Sequence, residues 1–265
     1  MYSYEAEGKT GRDLVEEALQ LGADCVGGIP HNEWARSIGE DSIKEIVRLA
    51  LKYDKYIDVH CDETDDTQAR FLELLNAEVL KQSYGACTTA SHTCSFGSFN
   101  DAYAFRMMGL FKKSGIHFIS CPTENAFLQG RQDSYPKRRG LTRVLEFVDQ
   151  KINVAFAQDS IVDLWYPAGN GNMMNILDNG IHLAQLMRKD DFDKNFDLVT
   201  YNGAKLMGLE KEYGLEIGKP ANFIVLDAPS VFEAQRNRVE CLASIRNGFY
   251  LFKKAERSHE IGLDI

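Results

Sequence analysis

The chain has 265 residues, 44% hydrophobic and 26% charged, the balance of a globular protein with room for a sizeable core. Its formal net charge of −9 argues against nucleic-acid phosphates or an anionic membrane as partner. No stretch approaches the roughly 20 apolar residues of a membrane span, and the start, MYSYEAEGKTGRD, shows no leader pattern, so a cytoplasmic location is expected.

Six cysteines occur without a C-x-x-C pair, which predicts reduced, mostly buried thiols rather than a thiolate metal site or a disulfide frame. Residues 10–22, TGRDLVEEALQLG, read as a helix capped by Thr10 and stopped at Gly22. ADCVGGIPH then reads as a strand ending at Pro30-His31. The next helix, DSIKEIVRLALKYD, places Ile43, Ile46, Val47 and Leu51 on one face and feeds KYIDVHCDE.

The same unit recurs along the chain. TQARFLELLNAEVLKQSYG feeds ACTTASH, NDAYAFRMMGLFKKSG feeds IHFISCPTEN, and GLTRVLEFVDQKI feeds NVAFAQDS. Helix alternating with short apolar strand is the pattern of βαβ units on a parallel sheet, here with five strands. Two helical segments follow, NMMNILDNGIHLAQLM and NFDLVTYNGAKLMGL. Beyond them GLEIGKPANFIVLDAP and CLASIRNGFYLFKK predict a small antiparallel sheet, with a boundary near residue 215.

Each strand of the first part carries its polar residues at its C-terminal end, where the βα loops of a barrel form one face. His60, His92 and Asp159 fall there on three different strands, with Glu63 just past His60. Imidazoles and a carboxylate gathered on one face suit a Zn²⁺ or Fe²⁺ ion, with Glu63 as proton shuttle. Each has a plainer reading: a strand-end histidine can bond a neighbouring loop, Asp159 can cap the following helix, and Glu63 can be a solvated acid. Those readings give no reason for all four to share a face.

His31 is a candidate at the substrate rim, although a structural role is the simpler reading. His117 at a strand start and His182 in a helix read as structural, and His259 lies in the tail. Glu124 and Asn125 sit at another strand end, where a substrate contact is possible; pairing of Glu124 with Arg131 or a neighbouring base is the preferred reading.

The segments VHCDE, TASHT, FLQGRQDSYPKRRGLTRV, AFAQDS with DLWYP, and GKPANFIVLDA, in this order, resemble the cytosine deaminase branch of the amidohydrolase superfamily. The resemblance implies an α/β fold: a partial (β/α)8 TIM-like barrel over residues 1–214, about strands 4–8, and a C-terminal β-sandwich segment over 215–265. It implies one divalent metal ion, Fe²⁺ or Zn²⁺, with His60 and Asp159 as ligands. Asp159 would also accept the proton of the attacking water, His92 would orient the hydroxide, and Glu63 would protonate the ring nitrogen beside the amino-bearing carbon. Trp165 resembles the aromatic wall over the base. The substrate would be a small nucleobase, released as the oxo base and ammonia.

Two departures stand out. The family's first strand carries H-x-H, and no H-x-H occurs in these 265 residues. The chain is therefore expected to start after the third barrel strand, as the C-terminal part of the full enzyme, completed by an N-terminal segment or within a homo-oligomer. A family His-Asp-Asp is replaced by Gln158-Asp159-Ser160. Ser160 removes a charge and opens volume beside the substrate, which favours a 5-methyl group on the pyrimidine. The alternatives are an amidohydrolase acting on isocytosine, isoguanine or creatinine, and an inactive or partner-completed subunit.

Overall fold

The computed structural model describes residues 1–255. A two-residue ladder, β1 (Glu5–Ala6) with β2 (Lys9–Thr10), leads into α1 (Gly11–Gln20). Thr10 and Asp13 close a reciprocal capping box there, each side chain accepting from the other's backbone N–H. β3 (Cys25–Val26) is far shorter than the run to His31 suggests, because Pro30 starts a 3₁₀ turn over Pro30–Asn32. α2 (Arg36–Tyr53) follows.

The repeating unit then continues through β4 (Tyr56–Cys61), α3 (Phe71–Lys81), β5 (Thr88–His92), α4 (Asp101–Ser114), β6 (His117–Ser120), α5 (Pro122–Leu128), α6 (Val144–Asp149) and β7 (Val154–Phe156). The five strands β3 to β7 form one parallel sheet in sequence order, so each βα unit adds the next strand beside the last. The architecture is α/β, an arc of a (β/α) barrel; among the described residues β3 and β7 each pair on one side only.

Packing follows the strand period. In β4, Ile57, Val59 and Cys61 are buried in the hydrophobic core, while Asp58 and His60 alternate with them and point to the other face. Ser91 of the neighbouring strand donates its hydroxyl to the Asp58 carboxylate across that face. On α2, Ile43, Ile46 and Val47 are buried as the period predicts. Leu51 is exposed instead, and Leu49 and Ala50 take the core positions, so the buried stripe is centred one residue earlier than the sequence reading placed it.

α3 begins at Phe71, four residues later than TQARFLELL suggests. The cause is Asp62, whose buried carboxylate accepts from the backbone N–H groups of Phe71 and Leu72, both at 2.9 Å. Burial pushes that carboxyl up to about 6 against the pull of the two donors. Asp62→Ala would leave both donors without a partner in a dry site, an expected loss of about 1–3 kcal/mol. A denaturant midpoint unchanged from the parent would contradict this capping role.

Further along are α7 (Met173–Leu183) and α8 (Tyr201–Leu206), which contact β7. A second compact unit begins at Glu210. It contains β8 (Phe223–Leu226), α9 (Val231–Arg236), β9 (Cys241–Arg246) and β10 (Phe249–Lys253), with the strands antiparallel in the order β10-β9-β8. Among the described residues this is a single three-stranded sheet. His259 lies outside the described residues.

Candidate active site

His60 is the penultimate residue of β4, His92 ends β5, Cys121 to Asn125 follow β6, and Asp159 lies three residues past β7. Four consecutive parallel strands thus deliver their C-terminal ends to one place. His92 Nε2 lies 3.1 Å from His60 Nδ1, and the ring centroids are 4.6 Å apart. Glu63 approaches His92 Nδ1 at 3.3 Å and His60 Nδ1 at 3.7 Å. The Asp159 carboxylate stands 3.5 Å from His92 Nε2.

Strand alternation alone does not build this arrangement. In register, His92 pairs with Cys61, whose side chain is buried in the core behind the sheet. A left-handed backbone at His92 (φ 68°) and at Thr93 (φ 46°) breaks the alternation at the strand end. Asp62 (φ 53°) and Asp159 (φ 65°) adopt the same region. Such residues each cost about 1–3 kcal/mol and cluster where the surrounding structure holds side chains in a working geometry.

Burial sets the protonation of the cluster. It pushes His92 down to about 3, helped by the charges of His60 and His31. It likewise pushes His31 down to about 4, with His60 next in effect. His60 moves the other way, because the Glu63 carboxylate beside it favours the imidazolium over the penalty of burial. Asp159 and Glu124 are both raised, first by burial. The Asp159 charge raises Glu124 further, whereas the His60 charge holds Asp159 down.

His31, at the turn after β3, is close enough to His60 and His92 to feel their charges, and its Nδ1 is buried with no hydrogen-bond partner. Ser160 donates its backbone N–H and its hydroxyl to Glu124, at 2.9 and 3.1 Å. Glu124 therefore does not pair with Arg131. That arginine donates to the Phe127 carbonyl and lies over the Phe127 ring, because α5 turns Glu124 inward to the β7 loop. Trp165 stands in the loop after β7, 61% exposed, its backbone N–H accepted by Asp163. His117 and His182 are tied to backbone carbonyls of Ala86 and Asp178, as structural residues are.

The LQGR to YPKRRG segment reaches over to the Glu63 loop. Gly130 donates its N–H to Asp65 at 2.7 Å, and Arg138 grips Asp133 with two nitrogens while a third donates to the Asp65 carbonyl. A separate cavity of about 530 Å³ lies at the opposite end of β7, lined by Asn153, Asn202 and Lys205 among others, and holds none of the clustered residues.

For a divalent ion the chemistry fits. Donor atoms of His60, Glu63 and His92 lie within 4.8 Å of one another, and so do those of His92, Cys121 and Asp159. Neutral imidazole and carboxylate suit a first-row ion. Full burial raises the Cys121 thiol well above its usual range. Sequence reasoning passed over Cys121 and offered Asn125 only a possible substrate contact, whereas its amide reaches His92 at 3.0 Å. The available signal was an asparagine just past a proline that follows a strand-like run, in IHFISCPTEN.

Comparison with known proteins agrees with this geometry. Residues 3–251 match the amidohydrolase family model. Among solved structures, 5-methylcytosine deaminase from Klebsiella pneumoniae, liganded with 5-fluorocytosine, is 49% identical with a TM-score of 0.92, over 95% of this chain and 61% of that one. N-isopropylammelide isopropyl amidohydrolase of Pseudomonas sp. strain ADP is 27% identical over 91% of this chain and 56% of its own length. Pterin deaminase of Rhizobium rhizogenes is 26% identical over 70% of this chain and 42% of its own. The chain thus spans between 42% and 61% of the length of these relatives. With its motifs in order, its strand-end cluster and these matches, the chain belongs to the amidohydrolase family.

Proposed function

We propose that this chain supplies the metal-side half of a hydrolytic deaminase acting on an aminopyrimidine, cytosine or 5-methylcytosine. The observation that carries the reading is the meeting of His60, Glu63, His92 and Asp159 at the ends of parallel strands. The similarity to 5-methylcytosine deaminase supports the choice of ring.

His60 and Asp159 would hold the ion, Fe²⁺ or Zn²⁺. Such an ion supplies hydroxide near neutral pH. Asp159, beside His92 Nε2, is placed to take the proton of the attacking water. His92, neutral by burial, orients the attacking oxygen by a hydrogen bond. Glu63 would deliver a proton to the ring nitrogen beside the amino-bearing carbon, which makes that carbon electrophilic; as a carboxylate it would then take the proton of the new hydroxyl as the carbonyl forms and pass it to the amino group, which leaves as ammonia, and the proton held by Asp159 would restore Glu63. His31 and Trp165 are assigned to the substrate rim.

Two protein ligands are fewer than the three or four of a tight site. The one-sided pairing of β3 and β7 supports completion by further strands, from a longer protein or a second polypeptide, and those strands would bring the remaining ligands.

Ser160 bears on the 5-substituent. Its hydroxyl is committed to Glu124, so beside Asp159 it presents a small side chain and no charge. A methyl group in a fitted pocket is worth about 1–3 kcal/mol. Ser160→Asp is therefore expected to shift the ratio of 5-methylcytosine to cytosine turnover about 5- to 100-fold toward cytosine. Ammonia release from the two bases, in the protein that carries this chain, tests it; an unchanged ratio would remove the 5-methyl preference. Release from isocytosine or creatinine in place of both would assign a different ring.

A further inference from the structure

We propose that Asn125 is a positioning residue that fixes the tautomer of His92, keeping its proton on Nε2 and its Nδ1 bare. The inference rests on the reading of His92 as part of the site. The two ends of an asparagine amide have nearly the same shape, so their assignment has to come from their neighbours. Here one neighbour is unambiguous.

The Asn125 side chain is wholly buried in the first turn of α5. One end of its amide faces the backbone N–H of Cys121 at 3.2 Å. A backbone N–H only donates, so that end is the oxygen. The other end is therefore the NH₂ group, which only donates, and it faces His92 Nδ1 at 3.0 Å. Nδ1 has to accept, which excludes both the Nδ1–H tautomer and the imidazolium. The single ring proton is left on Nε2, which faces the cluster, 3.1 Å from His60 Nδ1 and 3.5 Å from the Asp159 carboxylate.

Glu63 competes for the opposite outcome. Its carboxylate lies 3.3 Å from His92 Nδ1 and, unopposed, would draw a proton there. The amide is closer to Nδ1, and it also reaches Glu63 Oε1 at 3.5 Å. Asn125 thus separates two groups that would otherwise pair, leaving Glu63 free for substrate and Nε2–H aimed into the cluster. The backbone of the turn has little room to move: a Cβ at Gly140, where φ is +82°, would lie 2.5 Å from the Asn125 carbonyl oxygen.

A purely structural asparagine would serve the Cys121 N–H and nothing else. Asn125→Asp separates the two roles, because a carboxylate still accepts from Cys121 but can no longer donate to His92. The measurement is long-range ¹H–¹⁵N correlation of the histidine rings in the labelled protein, with any bound iron exchanged for diamagnetic Zn²⁺ and His92 assigned by His92→Gln. The parent is expected to show Nε2 protonated and Nδ1 bare, and Asn125→Asp to move the proton onto Nδ1 with helix content retained. A parent protonated on Nδ1 would overturn the proposal, as would an Asn125→Asp protein still protonated on Nε2 alone. Should that variant fail to fold, the parent spectrum decides. The signal does not depend on turnover, so a protein with the Nε2–H tautomer and no deaminase activity would refute the function and leave this assignment standing.

Discussion

Glu63→Gln is expected to lower turnover of the aminopyrimidine about 10²- to 10⁴-fold, the usual contribution of a positioned general acid–base group. The substituted amide would keep the size of the side chain and its contacts with the two imidazoles, but it could neither release a proton to the ring nitrogen nor collect one. Metal content and substrate affinity should therefore change little while kcat falls. Steady-state kinetics of ammonia release, with metal measured on the same samples, is the check. A variant within about tenfold of its parent would place the proton transfer elsewhere, and a variant that lost its metal would recast Glu63 as a ligand.

Phe147→Ala is the substitution expected to cost most in stability, about 3–5 kcal/mol for a large aromatic deleted from a dry core. Phe147 is fully buried where α6 packs on the sheet. Its ring lies 4.3 Å from Phe118 of β6 and 5.6 Å from Phe96, and Phe111 of α4 meets it edge-on at 6.2 Å. Phe118 is four residues before Pro122, where the turn bearing Glu124 and Asn125 begins. A cavity behind β6 should therefore loosen the site as well as the fold. Urea unfolding of parent and variant measures the loss, and a difference under about 1 kcal/mol would mean that the cluster closes over the gap.

Much of the site could be read from the sequence because strand ends are local features. IDVHC followed by DE places His60 and Glu63 without any knowledge of tertiary contacts, and the TASH and AFAQD segments place His92 and Asp159 in the same way. What the sequence withheld depends on approach between distant segments. The left-handed turn that brings His92 to His60 is invisible in TASHT, since a histidine in that region of backbone space has no sequence signal of its own. Glu124 looked destined for Arg131 because both lie in one short segment. Its actual partner, Ser160, is 36 residues away, and the pairing needs β6 and β7 side by side.

The same limit explains the late start of α3. Asp62 caps that helix from nine residues upstream, through a loop whose course is set by the fold, so TQAR reads as helical and is not. The sequence offers His31, beside Pro30, for the substrate rim, with a structural role as the simpler reading. Its burial among the other imidazoles depends on the 3₁₀ turn that cuts β3 short.

The most direct test is elemental analysis of the chain alone and of the chain mixed with a separately made segment bearing H-x-H, with ammonia release from cytosine and 5-methylcytosine followed on the same samples. The account predicts stoichiometric divalent metal and ammonia release in the completed protein, both lost in His60→Ala and on chelation. Ammonia release that survives His60→Ala or chelation would contradict it, and so would a completed, metal-loaded protein that deaminates neither base.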